Sequence, residues 1–366
     1  MTKKLYQKIF DDLEEMIMKG DYCIGSKLPS ENELAKKYDV SSITIKRALQ
    51  ELNNLGYISR KPKQGTVVIS VERTSDTALS IERILPVLGY ILTNFDDTFG
   101  TKILSSILEN ATNKAHIIVK KSMGDLKKEE ELIQELLEVN IDGIILLPCS
   151  SKYLSPNILE LIYKNFPIVI LDRTLEGIPI SSITTNNRDA MEQLTSYLIS
   201  TGHRNIGMIT STLVVSSIEE RIQGYIHSHA SHQIKMNHDL KQHFIRSVIP
   251  NSSASIEKDI QEIISFIQAN SEITALIASE YNIALLIKQA CEQIGKKIPE
   301  DISIACFDHP DHFFDKQAFQ FTHINQNQYE LGKESLNQIL EQIKNPSSIS
   351  KKNLPGELKI GQSTRR

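Results

Sequence analysis

Leu28-Pro29-Ser30-Glu31-Asn32-Glu33-Leu34-Ala35-Lys36-Lys37-Tyr38-Asp39-Val40-Ser41-Ser42-Ile43-Thr44-Ile45-Lys46-Arg47-Ala48-Leu49 is the stretch from which the front of this chain can be read. Ser30 and Glu33 form a capping box, in which hydroxyl and carboxylate satisfy the free N–H groups at a helix start. Leu34 and Ala35 are the buried side of that helix, and Tyr38-Asp39-Val40 makes a turn. Ser41 or Ser42 caps a second helix. Its buried stripe is Ile45, Ala48, Leu49, Leu52 and Leu55, and Gly56 closes it. Ser42, Ile43, Thr44, Lys46 and Arg47 then face outward near the second helix's N-terminus.

Upstream, Leu5, Ile9, Leu13, Met16 and Ile17 recur at helical spacing and stop at Lys19-Gly20. Downstream, Tyr57-Ile58-Ser59-Arg60 and Thr66-Val67-Val68-Ile69 flank Lys61-Pro62-Lys63-Gln64-Gly65, a β-hairpin with a basic tip. Hydroxyls, methyls and cations at a helix start suit base edges and phosphates in a major groove. The competing reading is a three-helix domain with a solvated basic face. Charge leans toward nucleic acid: residues 1–71 hold 12 Lys+Arg against 9 Asp+Glu, while the remainder holds 29 against 36.

At 366 residues, two or three domains are expected. No apolar run is long enough to span a membrane, and Met1-Thr2-Lys3-Lys4 leads into a charged amphipathic segment rather than a signal peptide. Cys23, Cys149, Cys291 and Cys306 are scattered without metal spacing, which fits reduced thiols in a cytoplasmic protein. Neither a metal nor a cofactor is expected.

With the hairpin included, residues 3 to about 70 resemble the GntR-type winged-helix domain: Leu28-Pro29-Ser30-Glu31, Val40-Ser41, Thr44 before a basic residue two positions on, and the Gly65-Thr66 wing. The resemblance implies DNA contacts at Ser41, Ser42, Thr44 and Lys46, with Glu31 and Asn32 near the backbone or bases. Lys63, Gln64 and Gly65 would make the wing contact. Many relatives carry Arg at the positions of Ser42 and Lys46, so the operator preference does not transfer from them.

Residues 72–86 read as a polar joint followed by a docking segment, or as a short helix. From Val87 the chain alternates strands and helices, the mark of parallel α/β units. Strands are expected at Val87–Leu92, Ile117–Val119, Ile141–Pro148, Pro167–Arg173, Ile206–Ile209, Thr274–Ala278 and Ile302–Phe307. Helices are expected around Ile103–Leu108, Leu132–Leu137, Ile158–Tyr163, Met191–Ser200, Arg221–His229 and Ile256–Asn270. Two similar lobes follow, with a ligand site at the strand carboxyl ends between them. The chain lacks GxSxG, P-loop, GxGxxG and HExxH motifs. His227, His229 and His232 read as a solvated face rather than a metal site.

This second region resembles the core of the LacI/GalR family, itself similar to periplasmic sugar-binding proteins. The resemblance rests on Val139–Ile145, Leu171-Asp172-Arg173, Ser200–Gly207, Arg221-Ile222-Gln223-Gly224-Tyr225, Gly295–Ile304, Phe307-Asp308 and a final strand in Leu358–Thr364. It implies an α/β fold with parallel sheets flanked by helices and covers residues 87–366. It makes Arg221 the leading effector ligand, because a planar donor fork suits adjacent sugar oxygens; the alternative is a salt bridge across the lobe. Phe95, Asp96 and Phe99 in the loop after the first strand, with Asp172, Arg173, Ser217 and Asp308, complete the candidate cleft. Asp172 and Arg173 read equally as a local pair, and the loop carboxylates as solvated groups. Relatives carry Asp where this chain has Thr185, and Asn-Asp where it has Glu280-Tyr281. That puts a simple pentose in doubt and leaves Glu280 as a substitute acceptor.

The combined expectation is a dimeric transcriptional regulator, a repressor on a palindromic operator, whose lobes close on a small sugar or sugar derivative. Closure would change the spacing of the two DNA-binding heads and with it operator affinity. A non-sugar effector and an activator are the alternatives. A plain solute-binding protein would need an export signal. A fused aminotransferase would need a longer chain and a Schiff-base lysine motif.

Overall fold

The backbone closes the expected cap at Ser30: its N–H donates to a Glu33 carboxylate oxygen at 2.7 Å, and the Glu33 N–H donates to Ser30 Oγ at 3.3 Å. A computed structural model describes residues 5–61, 65–71, 85–96, 98–311 and 317–365. They fall in two compact units, Met1–Ile84 and Leu85–Arg366. The expected joint at 72–84 lies outside the described residues.

The first unit runs α1 (Leu5–Lys19), α2 (Glu31–Tyr38), α3 (Ser42–Asn54), β1 (Ile58–Lys61) and β2 (Gly65–Val68). Leu13, Ile17, Leu34, Ile45, Leu49, Leu52 and Tyr57 are fully buried in its core. Ser41, not Ser42, caps α3, and its hydroxyl accepts from the Thr44 N–H. Asp39 adopts φ 51° at the end of α2, a left-handed conformation that Asp tolerates. Leu55 is the C-cap of α3 and only half-buried. β1 and β2 pair antiparallel. The strand-like segment before α2 joins them, with the Leu28 N–H donating to the Thr66 carbonyl at 2.9 Å.

The second unit continues with β3 (Val87–Leu92), α4 (Thr101–Ala111), β4 (His116–Lys121), α5 (Leu126–Glu138), β5 (Gly143–Leu146), α6 (Pro156–Tyr163), β6 (Ile168–Leu171) and β7 (Ser181–Thr185). Then come α7 (Asn187–Ser200), β8 (Ile206–Ser211), α8 (Ser216–Ser231), β9 (Lys241–Ile245), α9 (Ile256–Ala269), β10 (Ala275–Ala278), α10 (Tyr281–Gln293), β11 (Ser303–Phe307) and β12 (Thr322–Gln326). α11 (Gln328–Lys344), β13 (Lys351–Leu354) and β14 (Gly356–Lys359) finish the chain. One sheet has the order β13-β7-β6-β5-β3-β4, the other β14-β12-β11-β10-β8-β9. Their central strands are apolar because helices cover both faces.

The two lobes interleave. The chain leaves the first sheet after β7, returns after β12, and crosses again between β13 and β14. Helix α7 therefore packs on α8, while α11 packs back on α4.

Two expectations need correction. Strand pairing at the end of the chain stops at Lys359, and β14 runs antiparallel to β12. Residues 361–364 instead follow as irregular chain tied down by hydrogen bonds, such as the Ile304 N–H to the Ser363 carbonyl at 2.8 Å. The histidine segment is not uniformly solvated either. His229 is buried on the inner face of α8 against Tyr225, where Nδ1 lies 2.9 Å from the Tyr225 carbonyl. No helix among the described residues is long and apolar enough to cross a membrane.

Candidate functional site

The strand ends of both sheets surround a cavity of about 160 Å³. Drug-sized ligand pockets run to roughly 300–1,000 Å³, so this one suits something the size of a monosaccharide. Its walls include Phe95, Asp96 and Phe99 after β3, Asp172 and Arg173 after β6, Ser217 and Arg221 on α8, Glu280 and Tyr281 after β10, and Asp308 after β11. The ten residues singled out in the sequence for an effector thus meet in one place.

Arg221 is almost wholly buried. Its Nε donates to Asn187 Oδ1 at 2.8 Å and its Nη1 to the Ser279 carbonyl at 2.6 Å. The guanidinium lies 3.8 Å from the Phe307 ring centroid, a cation–π seat that fixes its plane. No ion pair across the lobe forms at Arg221 among the described residues; its acceptors are an amide and a carbonyl. Arg173 does pair with Asp172, and it also donates to Ser217 Oγ. Asp308 accepts from Gln326 Nε2 at 2.7 Å. Asp96 shapes its own turn, its Oδ1 accepting from the Thr98 N–H at 2.8 Å and the Phe99 N–H at 3.1 Å.

Burial pushes the Glu280 carboxyl up to about 7, with Arg221 opposing and Asp308 and Asp96 adding. Burial also pushes Asp308 up to about 7, against Arg221 and the Gln326 hydrogen bond. Several buried polar atoms of the cavity walls have no hydrogen-bond partner among the described residues: Asp172 Oδ1, Arg173 Nε, Ser279 Oγ, Asp308 Oδ1 and Gln326 Oε1. Such groups are costly unless something else satisfies them.

The start of α8 joins the lobes at the cavity rim. The Ser216 N–H donates to Ser151 Oγ at 2.9 Å, the Thr174 N–H donates to Ser216 Oγ at 2.8 Å, and Lys152 pairs with Glu219 at 2.8 Å.

Ser279, Gln326 and Asn187 were missed in the sequence. Ser279 carried a usable signal, since it directly follows strand β10. Gln326 did not, because Thr322-His323-Ile324-Asn325-Gln326 is too polar to read as a strand.

In the first unit, Ser41, Ser42, Lys46 and Arg47 are exposed at the start of α3, Asn32 is exposed on α2, and Gly65 opens β2 at φ 87°. The Ser41 and Thr44 hydroxyls lie 2.9 Å apart. Lys46 reaches Glu31 at 3.9 Å, and the Arg47 guanidinium sits 4.3 Å from the Tyr6 ring centroid. The two cations of this face are therefore held by neighbours of their own domain. Lys63, Gln64 and the Ile43 side chain lie outside the described residues.

Residues 5–68 match the family of bacterial regulatory proteins described as gntR, and residues 195–364 match the periplasmic binding protein-like domain. A ribose operon repressor from Haemophilus influenzae is 26% identical over 86% of this chain and 92% of its own length. An arabinose metabolism transcriptional repressor from Geobacillus stearothermophilus is 23% identical over 84% of this chain and 82% of its own length. Among solved structures, a transcription regulator from Lactobacillus plantarum has a TM-score of 0.63 at 23% identity, over 76% of this chain and 99% of its own. A LacI family transcriptional regulator from Enterococcus faecium with bound ribose has a TM-score of 0.61 at 22% identity, over 76% of this chain and 98% of its own.

A winged helix joined to a two-lobed, cleft-bearing core defines a ligand-responsive DNA-binding protein. This chain carries a GntR-type DNA-binding domain followed by a periplasmic-binding-protein-like domain, and it is a DNA-binding transcriptional regulator.

Proposed function

We propose that the chain represses a sugar-utilisation operon and that a small sugar, bound between the lobes, changes its operator affinity. The cavity carries this reading. It brings a buried, plane-fixed guanidinium, several unsatisfied acceptors and three aromatic rings to one spot of monosaccharide size. Polyols need such a mixed donor and acceptor lining. The pairing of domains is similar to that of arabinose-operon repressors, and relatives named as ribose and arabinose repressors support a sugar-type effector.

In this reading the protein is a cytoplasmic homodimer on a palindromic operator and does no covalent chemistry. Residues 1–71 hold the DNA, 72–86 link, and 87–366 bind effector and dimerise. Ser41, Ser42, Ile43, Thr44, Lys46 and Arg47 face the major groove, with Glu31 and Asn32 beside it and Lys63, Gln64 and Gly65 at the wing. Lys46 and Arg47 exchange their internal partners for DNA. By linkage, DNA weakens effector binding by the factor by which effector weakens DNA binding.

A gel-shift assay with the region upstream of the chain's own gene tests this. A specific retarded band that a sugar disperses is expected. Absence of any specific band would overturn the regulator reading, and a band indifferent to every sugar would overturn the effector reading.

A further inference from the structure

The cavity has a charge asymmetry that hydroxyl recognition alone does not require. Among the described residues four carboxylates line it, those of Asp96, Asp172, Glu280 and Asp308, against the guanidiniums of Arg173 and Arg221. Both cations already have protein partners, although Arg173 Nε has none among the described residues and Arg221 donates only to neutral groups. Arg173 is held by Asp172 and Ser217, and Arg221 by Asn187, the Ser279 carbonyl and the Phe307 face. The buried atoms still lacking a partner are mostly acceptors: Asp172 Oδ1, Asp308 Oδ1 and Gln326 Oε1, on residues 4%, 5% and 3% exposed. They call for ligand donors. Glu280 also lines the cavity, at the start of α10, and its side chain caps no helix N–H.

An anionic group here would meet carboxylates that outnumber the cations among the described lining residues, in a partly dehydrated space. A hydroxyl or an amine would meet the acceptors it needs. We infer that the cavity selects its sugar by charge, taking one without an acidic group, and that Glu280 is the residue that turns phosphorylated and carboxylated sugars away. This rests on the sugar reading above and narrows it. Rejection by a like charge is a common route to specificity, because affinity for the right ligand need not rise.

The test uses the full-length protein at pH 8, where Glu280 and Asp308, both raised to about 7, are mostly ionised, and matched ligands: D-ribose with D-ribose 5-phosphate, L-arabinose with L-arabinose 5-phosphate, and D-glucose with D-glucose 6-phosphate, D-glucuronate and D-glucosamine. Thermal shift finds the binding set and calorimetry gives the affinities. In the set that binds, the uncharged or aminated member is expected to raise the melting temperature. The acidic member should bind at least about tenfold more weakly, the scale of one close like-charge contact in a partly screened site. Glu280→Gln should shrink that ratio by about tenfold.

Equal affinity of acidic and neutral members for the unaltered protein would overturn the inference while leaving the sugar reading in place. An unchanged ratio in Glu280→Gln would remove Glu280 from the role. Failure of every member to bind would overturn the sugar reading itself, and the inference with it. The comparison on the unaltered protein decides the charge question even if the variant does not fold.

Discussion

Asp172 and Asp308 occupy equivalent places in the two lobes. Each follows the third strand of its sheet, β6 in one and β11 in the other, and each takes a left-handed backbone, at φ 62° and 61°. The helices that leave the two sheets also begin alike, with Asn186 capping α7 and Asn327 capping α11. The difference lies one residue on. Asp172 is followed by Arg173 and carries its own counter-ion. Asp308 is followed by His309, and its direct partner is the Gln326 amide. Its largest charge compensation comes from Arg221, on another element. One lobe thus presents a neutralised strand end, whereas the other depends on a guanidinium brought from α8 and, by our proposal, on ligand donors.

Removing that guanidinium should have the largest effect. Arg221→Ala leaves Asp308 and Glu280 without their shared cation and leaves Asn187 and the Ser279 carbonyl without a donor. Breaking a buried charged arrangement typically costs about 3–5 kcal/mol. Chemical denaturation should show a loss on that scale, and calorimetry a loss of effector affinity on the order of 100-fold. An Arg221→Ala protein that binds effector normally would mean the second lobe needs no borrowed cation.

Next come the glycines that let each lobe's helices approach. A Cβ on Gly224 of α8 would lie 2.3 Å from the Arg188 carbonyl oxygen, and one on Gly332 of α11 would lie 2.6 Å from the Ile103 carbonyl oxygen. Both obstacles are backbone, so the helices must move apart. Each Gly→Ala change should destabilise by about 1–3 kcal/mol in denaturant melts, more at Gly224. Equal losses would show that the two interleaved helix pairs are packed with the same slack.

The Asp308 carboxyl, held up to about 7, makes a pH prediction. An unfolded Asp titrates near ~4, so between about pH 4 and pH 7 the folded state binds more protons than the unfolded. Stability is then fully present below that window and is lost as pH rises through it. Asp308→Asn should flatten this part of the profile and gain on the order of 1 kcal/mol at pH 8 relative to pH 4. Glu280, also raised to about 7, should keep part of the slope. Thermal melts from pH 4 to 8 would check it, and an unflattened curve would show that Asp308 is not the group responsible.

The smallest effect is expected at the rim. Lys152 and Glu219 are 66% and 48% exposed, so Lys152→Ala should change stability by about 0.5 kcal/mol or less. Ser216→Ala, which removes the acceptor for the Thr174 N–H, should cost about 1 kcal/mol. A reversed order in denaturant melts would mean that charge, rather than hydrogen bonding, joins the lobes.

Much of this architecture is legible in local pattern. Ser30 and Glu33 announce α2 because a cap needs only residues three apart. Apolar runs such as Ile168-Val169-Ile170-Leu171 announce strands buried on both faces. Residues just after such runs, Asp172 and Asp308 among them, are legible as candidate ligands because parallel strands open their carboxyl ends to ligands. Polar elements are not legible in this way. β7 (Ser181-Ser182-Ile183-Thr184-Thr185) and β12 are buried strands made largely of polar residues, stabilised by pairing with neighbours distant in sequence. His229 likewise looks like one more solvated histidine until the face of α8 is known.

The sequence by itself determined a winged-helix front, an alternating α/β body and the residues that end its strands, since helix caps, periodicity and apolar runs act over a few neighbours. Only the tertiary structure decided that the lobes exchange helices, that Arg221 is clamped by Asn187, the Ser279 carbonyl and Phe307, and that among the described residues the cavity's acidic groups outnumber its cations. Those facts depend on strand ends more than 200 residues apart converging in one partly dehydrated space, as Phe95 and Gln326 do. There the energy of each charge is set by neighbours that no local pattern identifies.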